Sequence, residues 1–107
     1  MIKVPQLKQG DTVGVIAPSA PLPHVFERRF KQGIAGLEKI GFKVEIAKNA
    51  LAIDGHTAGT IKERVSDLHE MFERGDVKAI ICAIGGFNAN QLLSFIDYNL
   101  IKAHPKI

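Results

Sequence analysis

These 107 residues contain no tryptophan, one tyrosine (Tyr98) and one cysteine (Cys82). A single thiol excludes an intrachain disulfide, and Cys82, inside an apolar run, reads as a small buried hydrophobe. Charge of one sign is gathered nowhere. The formal net charge is +3, but Lys3, Lys8, Arg28, Arg29, Lys31, Lys62, Arg64 and Arg74 are scattered along the chain. The aromatics, mostly phenylalanine, sit at core-like spacings, so no nucleic-acid partner is expected. No apolar run is long enough to span a bilayer, and Met1-Ile2-Lys3-Val4-Pro5 lacks the apolar segment of a secretory signal. The chain is therefore expected to be cytoplasmic, with no membrane partner. His24, His56, His69 and His104 have no metal-ligand spacing, so neither a metal site nor a cofactor is expected.

What is present is ordinary globular composition, 46% hydrophobic and 23% charged, in a length that holds one core. Thr12–Ala17 is a nearly unbroken apolar run ended by Pro18-Ser19-Ala20-Pro21, which reads as a strand buried on both faces. A helix is predicted from about Val25 to Ile40, with Phe26, Phe30, Ile34 and Leu37 on one stripe and Gly41 just past its end. Gly33 and Gly36 would weaken that helix, and close packing against the sheet is their expected use. Phe42–Ile46 alternates apolar and charged residues, the mark of a half-exposed edge strand. After a loop over 48–59, Thr60-Ile61-Lys62-Glu63 forms a capping box. Ile61, Val65, Leu68 and Phe72 then continue at helical spacing to Gly75. Val77–Ile84 reads as a central strand. A short helix over Asn90–Ile96, a helical turn near Tyr98–Lys102 and the first residues of a fourth strand at Lys106-Ile107 complete the chain.

The order β-α-β-α-β-α predicts a three-layer α/β domain with a parallel sheet and right-handed crossovers. Edge character in the second strand gives a spatial order beginning 2-1-3, the opening of a flavodoxin-like sheet. The far side of the third strand has no partner in this chain. The fold thus reads as truncated before its fourth strand, and the chain as prone to self-association.

Ile84-Gly85-Gly86-Phe87-Asn88-Ala89-Asn90 stands where open α/β sheets place their ligand loops, between a strand and a helix start. Its glycines let the backbone turn sharply and bring N–H groups close to a bound molecule, and Asn88 is positioned to cap the following helix, to contact substrate, or both. Pro18 and Ser19 face the same crevice, with Ser19 expected to hold its loop in a local hydroxyl turn rather than to act in catalysis. Arg64 reads as a structural ion-pair or helix-surface residue. His56 and His69 read as surface or helix-facing groups, and Asp97-Tyr98 as the end of a helix. A dinucleotide module would need Gly-x-Gly-x-x-Gly where Ala17-Pro18-Ser19-Ala20-Pro21 stands. A receiver domain would need acidic residues where Ala17-Pro18 and Gly85-Gly86 stand. A non-catalytic binding or assembly module stays open.

Several blocks occur in register: Gly10-Asp11-Thr12-Val13-Gly14-Val15-Ile16-Ala17-Pro18-Ser19, Arg64 with Asp67-Leu68, Gly85-Gly86, Leu92-Leu93, Ile96-Asp97-Tyr98 and Pro105-Lys106. Together they resemble the LD-carboxypeptidase / microcin C immunity protein family of serine peptidases. The resemblance implies that residues 1–107 are the class I glutamine amidotransferase-like N-terminal domain of a two-domain hydrolase whose C-terminal domain is absent here. It implies a Ser-Glu-His triad, with the serine in a Gly-aromatic-Ser-Asp elbow beyond a segment like Pro105-Lys106-Ile107. No catalytic residue is therefore expected in this chain, whose Ser19, Ser66 and Ser94 lie in no such elbow. By the same resemblance, Gly85 or Gly86 would be the oxyanion-hole donor, with Asn88, Phe87, Ser19 and Pro18 binding substrate. Murein-cleaving members typically carry Arg-Gly-Gly-Tyr-Gly at this loop. The Gly-Gly-x-Asn form looks more like the microcin branch and implies a peptidyl- or aminoacyl-nucleotide substrate over a murein tetrapeptide. A homodimer is expected of the full-length protein.

Overall fold

The computed structural model describes residues 2–107. The apolar run at the start becomes β1 (Thr12–Ile16), the middle strand of a three-stranded parallel sheet in the order β2-β1-β3. β2 (Lys43–Ile46) and β3 (Val77–Cys82) pair on either side of it. The 2-1-3 arrangement agrees with the sequence pattern: β2, with alternating charged residues, lies at an edge, and the apolar β1 and β3 lie side by side.

The single helix expected over 25–40 is divided. Pro21 and Pro23 start a separate turn, α1 (Leu22–Val25), because their preset φ suits a helix start, and Phe26, at φ −120° and ψ 56°, breaks it from α2 (Glu27–Lys39). α2 contains no buried residue. A Cβ at Gly33 or Gly36 would meet nothing within 4 Å, so these glycines do not serve the close packing expected of them. The helix ends as predicted. Gly41 takes φ +108°, its N–H donates to Glu38 O and the Phe42 N–H to Leu37 O, which satisfies the last carbonyls in a Schellman motif.

The predicted capping box opens α3 (Ile61–Glu73). The Thr60 N–H donates to Glu63 Oε1 at 2.9 Å, and the Glu63 N–H donates to Thr60 Oγ1 at 3.1 Å. Hydrogen bonding of the carboxyl to the Thr60 backbone N–H first, and to the Thr60 side chain second, holds Glu63 below its ordinary pKa. α3 lies close on the sheet because β1 carries a glycine at the contact: a Cβ on Gly14 would fall 2.6 Å from Met71 Sδ. The core between them is Ile16, Ala17, Ala47, Ala50, Ala58, Met71 and Val77. Four of these are alanines from the loops that leave β1 and β2, so the core reaches up beneath the carboxyl end of the sheet.

Beyond β3, residues Ala89–Phe95 form a 3₁₀ segment rather than the expected α-helix, and the Asn88 side chain makes no capping hydrogen bond. Asp97 begins a helix instead of ending one: its Oδ1 accepts from the Leu100 N–H at 3.1 Å and caps α4 (Tyr98–Ala103). The tail then returns to the sheet. The Ile80 N–H donates to Ile107 O at 2.8 Å, but Lys106-Ile107 forms no strand, so the expected start of a fourth strand is reduced to one contact on the outer edge of β3 and the sheet keeps three strands. Only that one backbone hydrogen bond lies on the edge among the described residues. Cys82, expected to be buried, is exposed for the same reason. An apolar strand patterned for the middle of a sheet stands almost uncovered, with Ile81 39% exposed.

An edge of this kind is a template for a second chain. The 107-residue chain should self-associate through residues 77–84, while the charged β2 edge, with Lys43 and Glu45, stays unpaired. Sedimentation at rising concentration, with amide exchange at 77–84, measures this. A monomer at high concentration whose 77–84 amides exchange freely would refute it.

Candidate active-site crevice

Three loops rise from the carboxyl ends of the strands and frame one crevice, the place where open α/β sheets bind ligands. They are Ala17–Pro21 after β1, residues 47–60 after β2, and Ala83–Asn88 after β3. Two buried polar side chains of α3 hold them. Asp67 accepts from the Asn49 N–H at 3.1 Å and from Asn49 Nδ2 at 2.8 Å, which fixes the loop after β2. Burial raises the Asp67 pKa, and the bonds from Asn49 oppose the shift. Arg64 reaches the other two loops. Its Nη1 donates to Pro18 O at 3.0 Å and to Asn88 O at 3.2 Å, and its Nη2 to Gln91 Oε1 at 2.9 Å.

Arg64 is therefore structural, as expected, but it is neither on the helix surface nor in an ion pair. It is buried, and its partners are carbonyl oxygens. The pattern held a signal for this. Arg64, Leu68 and Met71 fall on one face at i, i+4, i+7, so a charge stands on the stripe that faces the sheet.

Ser19 is fully buried. Its Oγ accepts from the Asn88 N–H at 3.0 Å, and its carbonyl accepts from the Ala58 N–H at 2.8 Å. The local turn expected at Ser19 is thus replaced by bonds to both neighbouring loops. Gly86, at φ +152°, packs on Ser19 so closely that a Cβ there would collide with the Ser19 side chain and lie 3.3 Å from the Ala20 nitrogen. Only glycine fits this position. Among the described residues, no hydrogen bond uses the N–H of Gly85 or Gly86. Both glycines are exposed, and Phe87 beside them is 96% exposed. The structure therefore brings together Pro18, Ser19, Gly85, Gly86 and Asn88, with Phe87 projecting from the tip of the loop.

Beside Asn88 the crevice opens into a cavity of about 500 Å³ lined by Asp54, His56, Thr57, Arg64, Asn88 and Gln91, with residues 60–62 at its margin. A larger groove, about 750 Å³, runs along the outer face of α3 between Val65, His69 and Phe95. There His69 Nε2 accepts the Asp97 N–H at 2.9 Å. Among the described residues no serine hydroxyl is hydrogen-bonded to a histidine or a carboxylate. Desolvation raises the Cys82 thiol above its ordinary pKa, the opposite of what an activated nucleophile requires. No group of three metal-ligating side chains occurs among the described residues.

A parallel sheet in 2-1-3 order, with a glycine loop over the carboxyl-end crevice, defines an open α/β domain. The chain belongs to the LD-carboxypeptidase family, whose N-terminal domain model matches residues 13–107. It is 43% identical over 101 residues to a probable murein peptide carboxypeptidase of Bacillus subtilis, covering 94% of this chain and 31% of that protein. It is 41% identical over 101 residues to the microcin C7 self-immunity protein MccF of Escherichia coli, covering 94% of this chain and 29% of that one. The solved structure of MccF in complex with aspartyl sulfamoyl adenosine superposes with a TM-score of 0.95 at 38% identity, over all of this chain and 32% of that chain. This chain thus spans about a third of the length of the relatives it matches.

Proposed function

We propose that these residues form the oxyanion- and substrate-binding part of a serine-type carboxypeptidase, with the triad supplied by the portion of the protein beyond this domain. The observation that carries the reading is the pair of unengaged Gly85 and Gly86 N–H groups, held at the carboxyl end of β3 by the packing of Gly86 on Ser19. When a serine oxygen adds to an amide carbonyl, negative charge moves onto the carbonyl oxygen. A preset backbone N–H stabilises that charge without reorganising. When the intermediate collapses, the carbonyl re-forms and the leaving amine takes a proton.

Asn88 and Phe87 flank the donors, with Pro18 beside them, and Ser19, fully buried beneath Gly86, supports the loop rather than touching substrate. The Gly-Gly-x-Asn loop and the likeness to a protein solved with aspartyl sulfamoyl adenosine favour an aminoacyl-nucleotide substrate, and with it a cytoplasmic location. The Bacillus subtilis relative supports the second reading, a murein tetrapeptide.

The test is a chimera that joins this chain to the part of the Escherichia coli relative following its matched segment. It should cleave aspartyl sulfamoyl adenosine with kcat/KM at least about 10-fold above that for a murein tetrapeptide, the scale of a pocket-contact difference. The reverse preference establishes the murein reading. Residues 1–107 alone should turn over neither substrate, and activity of the lone chain abolished by Ser19→Ala would overturn the domain assignment.

A further inference from the structure

Arg64 is 3% exposed, and among the described residues no carboxylate oxygen stands within ion-pair distance of it. A cation removed from water without a counter-ion is costly unless its hydrogen bonds are met. Here they are met by oxygens from three separate segments: Thr60 O on its own helix at 3.4 Å, Pro18 O after β1, and Asn88 O with Gln91 Oε1 after β3. The planar guanidinium holds its N–H groups in a fixed fork, so these oxygens are fixed relative to one another, which the point charge of a lysine does not achieve. The Asn88 residue is consequently gripped at both ends, its N–H on Ser19 Oγ and its carbonyl on Arg64. Gly86, two residues earlier, packs on the same Ser19.

We propose that Arg64 is the positioning residue of the glycine loop: it touches no substrate, and by clamping Asn88 to Pro18 it sets the direction in which the Gly85 and Gly86 N–H groups point. Its kinetic consequence rests on the oxyanion reading above, whereas its structural consequence does not.

Two measurements separate them, each made on Arg64→Met and Arg64→Lys. In the 107-residue chain, amide exchange at Asn88 should accelerate about 10-fold or more in both variants, with the β1 amides of Val13 and Val15 as protected as before, the mark of local opening. In the chimera, kcat should fall about 10- to 100-fold with KM within about threefold, the cost of misplacing a preset group. Arg64→Lys keeps the charge and the stem, so it carries the test alone if Arg64→Met does not fold, and it should not rescue kcat. Unchanged exchange at Asn88, a parallel loss of protection across β1, or full activity in Arg64→Lys beside a loss in Arg64→Met overturns the positioning role. Faster exchange at Asn88 with kcat undiminished in both variants supports the clamp and removes the glycine loop from the chemistry.

Discussion

Replacing Gly86 by valine should lower kcat of the chimera about 100-fold or more, the usual loss when one oxyanion donor is removed, while the domain stays folded. Two effects act together. The residue sits at φ +152°, where a β-branched side chain is strained, and its Cβ would strike the Ser19 side chain. The loop must move away from Ser19, and the Asn88 N–H then loses its acceptor. The atoms nearest a Cβ at Gly86 belong to Ser19 and Ala20, outside β1, β2 and α3, so the sheet and α3 should stay folded even where the bonds of Asn88 are weakened. Single-turnover rates with circular dichroism melts measure both, and a folded Gly86→Val enzyme with unchanged kcat would exclude the loop from the mechanism. Gly85 gives the internal control. A Cβ there meets nothing within 4 Å, so Gly85→Ala should be milder.

Lys106→Met should destabilise the chain by about 2 kcal/mol, the scale of hydrogen bonds made by a charged group. Its Nζ donates to Met71 O at 3.0 Å, to Val77 O at 2.7 Å and to Arg74 O. These carbonyls lie in the last turn of α3 and at the start of β3, where a cation also complements the helix dipole. Desolvation lowers the Lys106 pKa, and Lys78 adds to the shift. Methionine keeps the apolar stem but leaves the carbonyls without their donor. A urea titration should show a lower midpoint with an unchanged slope, and Lys102→Met, at an exposed position of α4, should shift it by less than about 0.5 kcal/mol. Equal midpoints for the two variants would show that the bonds of Lys106 add nothing.

The parts of this fold legible in the sequence are those set by local chemistry. The Thr60–Glu63 box, the Gly41 terminus and the edge position of Lys43–Ile46 each depend on a few adjacent residues, and all three appear as expected, although Ile46 breaks the alternation by being exposed. The 2-1-3 order followed from comparing strand patterns, and the glycine loop from its place behind an apolar strand. What escaped were long-range bonds between polar groups. Ser19 meets Asn88 across 69 residues, and Arg64 meets Pro18 across 46, which no periodicity encodes. Cys82 misled for a different reason: its surroundings are patterned for a strand with a neighbour on either side, and here one side is nearly bare. Asn88 misled because Ala89–Phe95 takes the tighter 3₁₀ path, in which the asparagine contributes its backbone rather than its side chain.

The central place of β1 bears on how the molecule is made. Of these three strands β1 leaves the ribosome before the other two, which both require it: β2 follows about 30 residues on and β3 about 65. At roughly 5–20 residues per second, β1 waits about 3–13 s for its second neighbour. Throughout that interval Val13, Val15 and Ile16, all buried in the finished domain, are apolar groups on a nascent chain. The segment around Thr12–Ala17 is therefore the stretch that a co-translational chaperone would be expected to hold, and the release step would be the completion of Val77–Cys82.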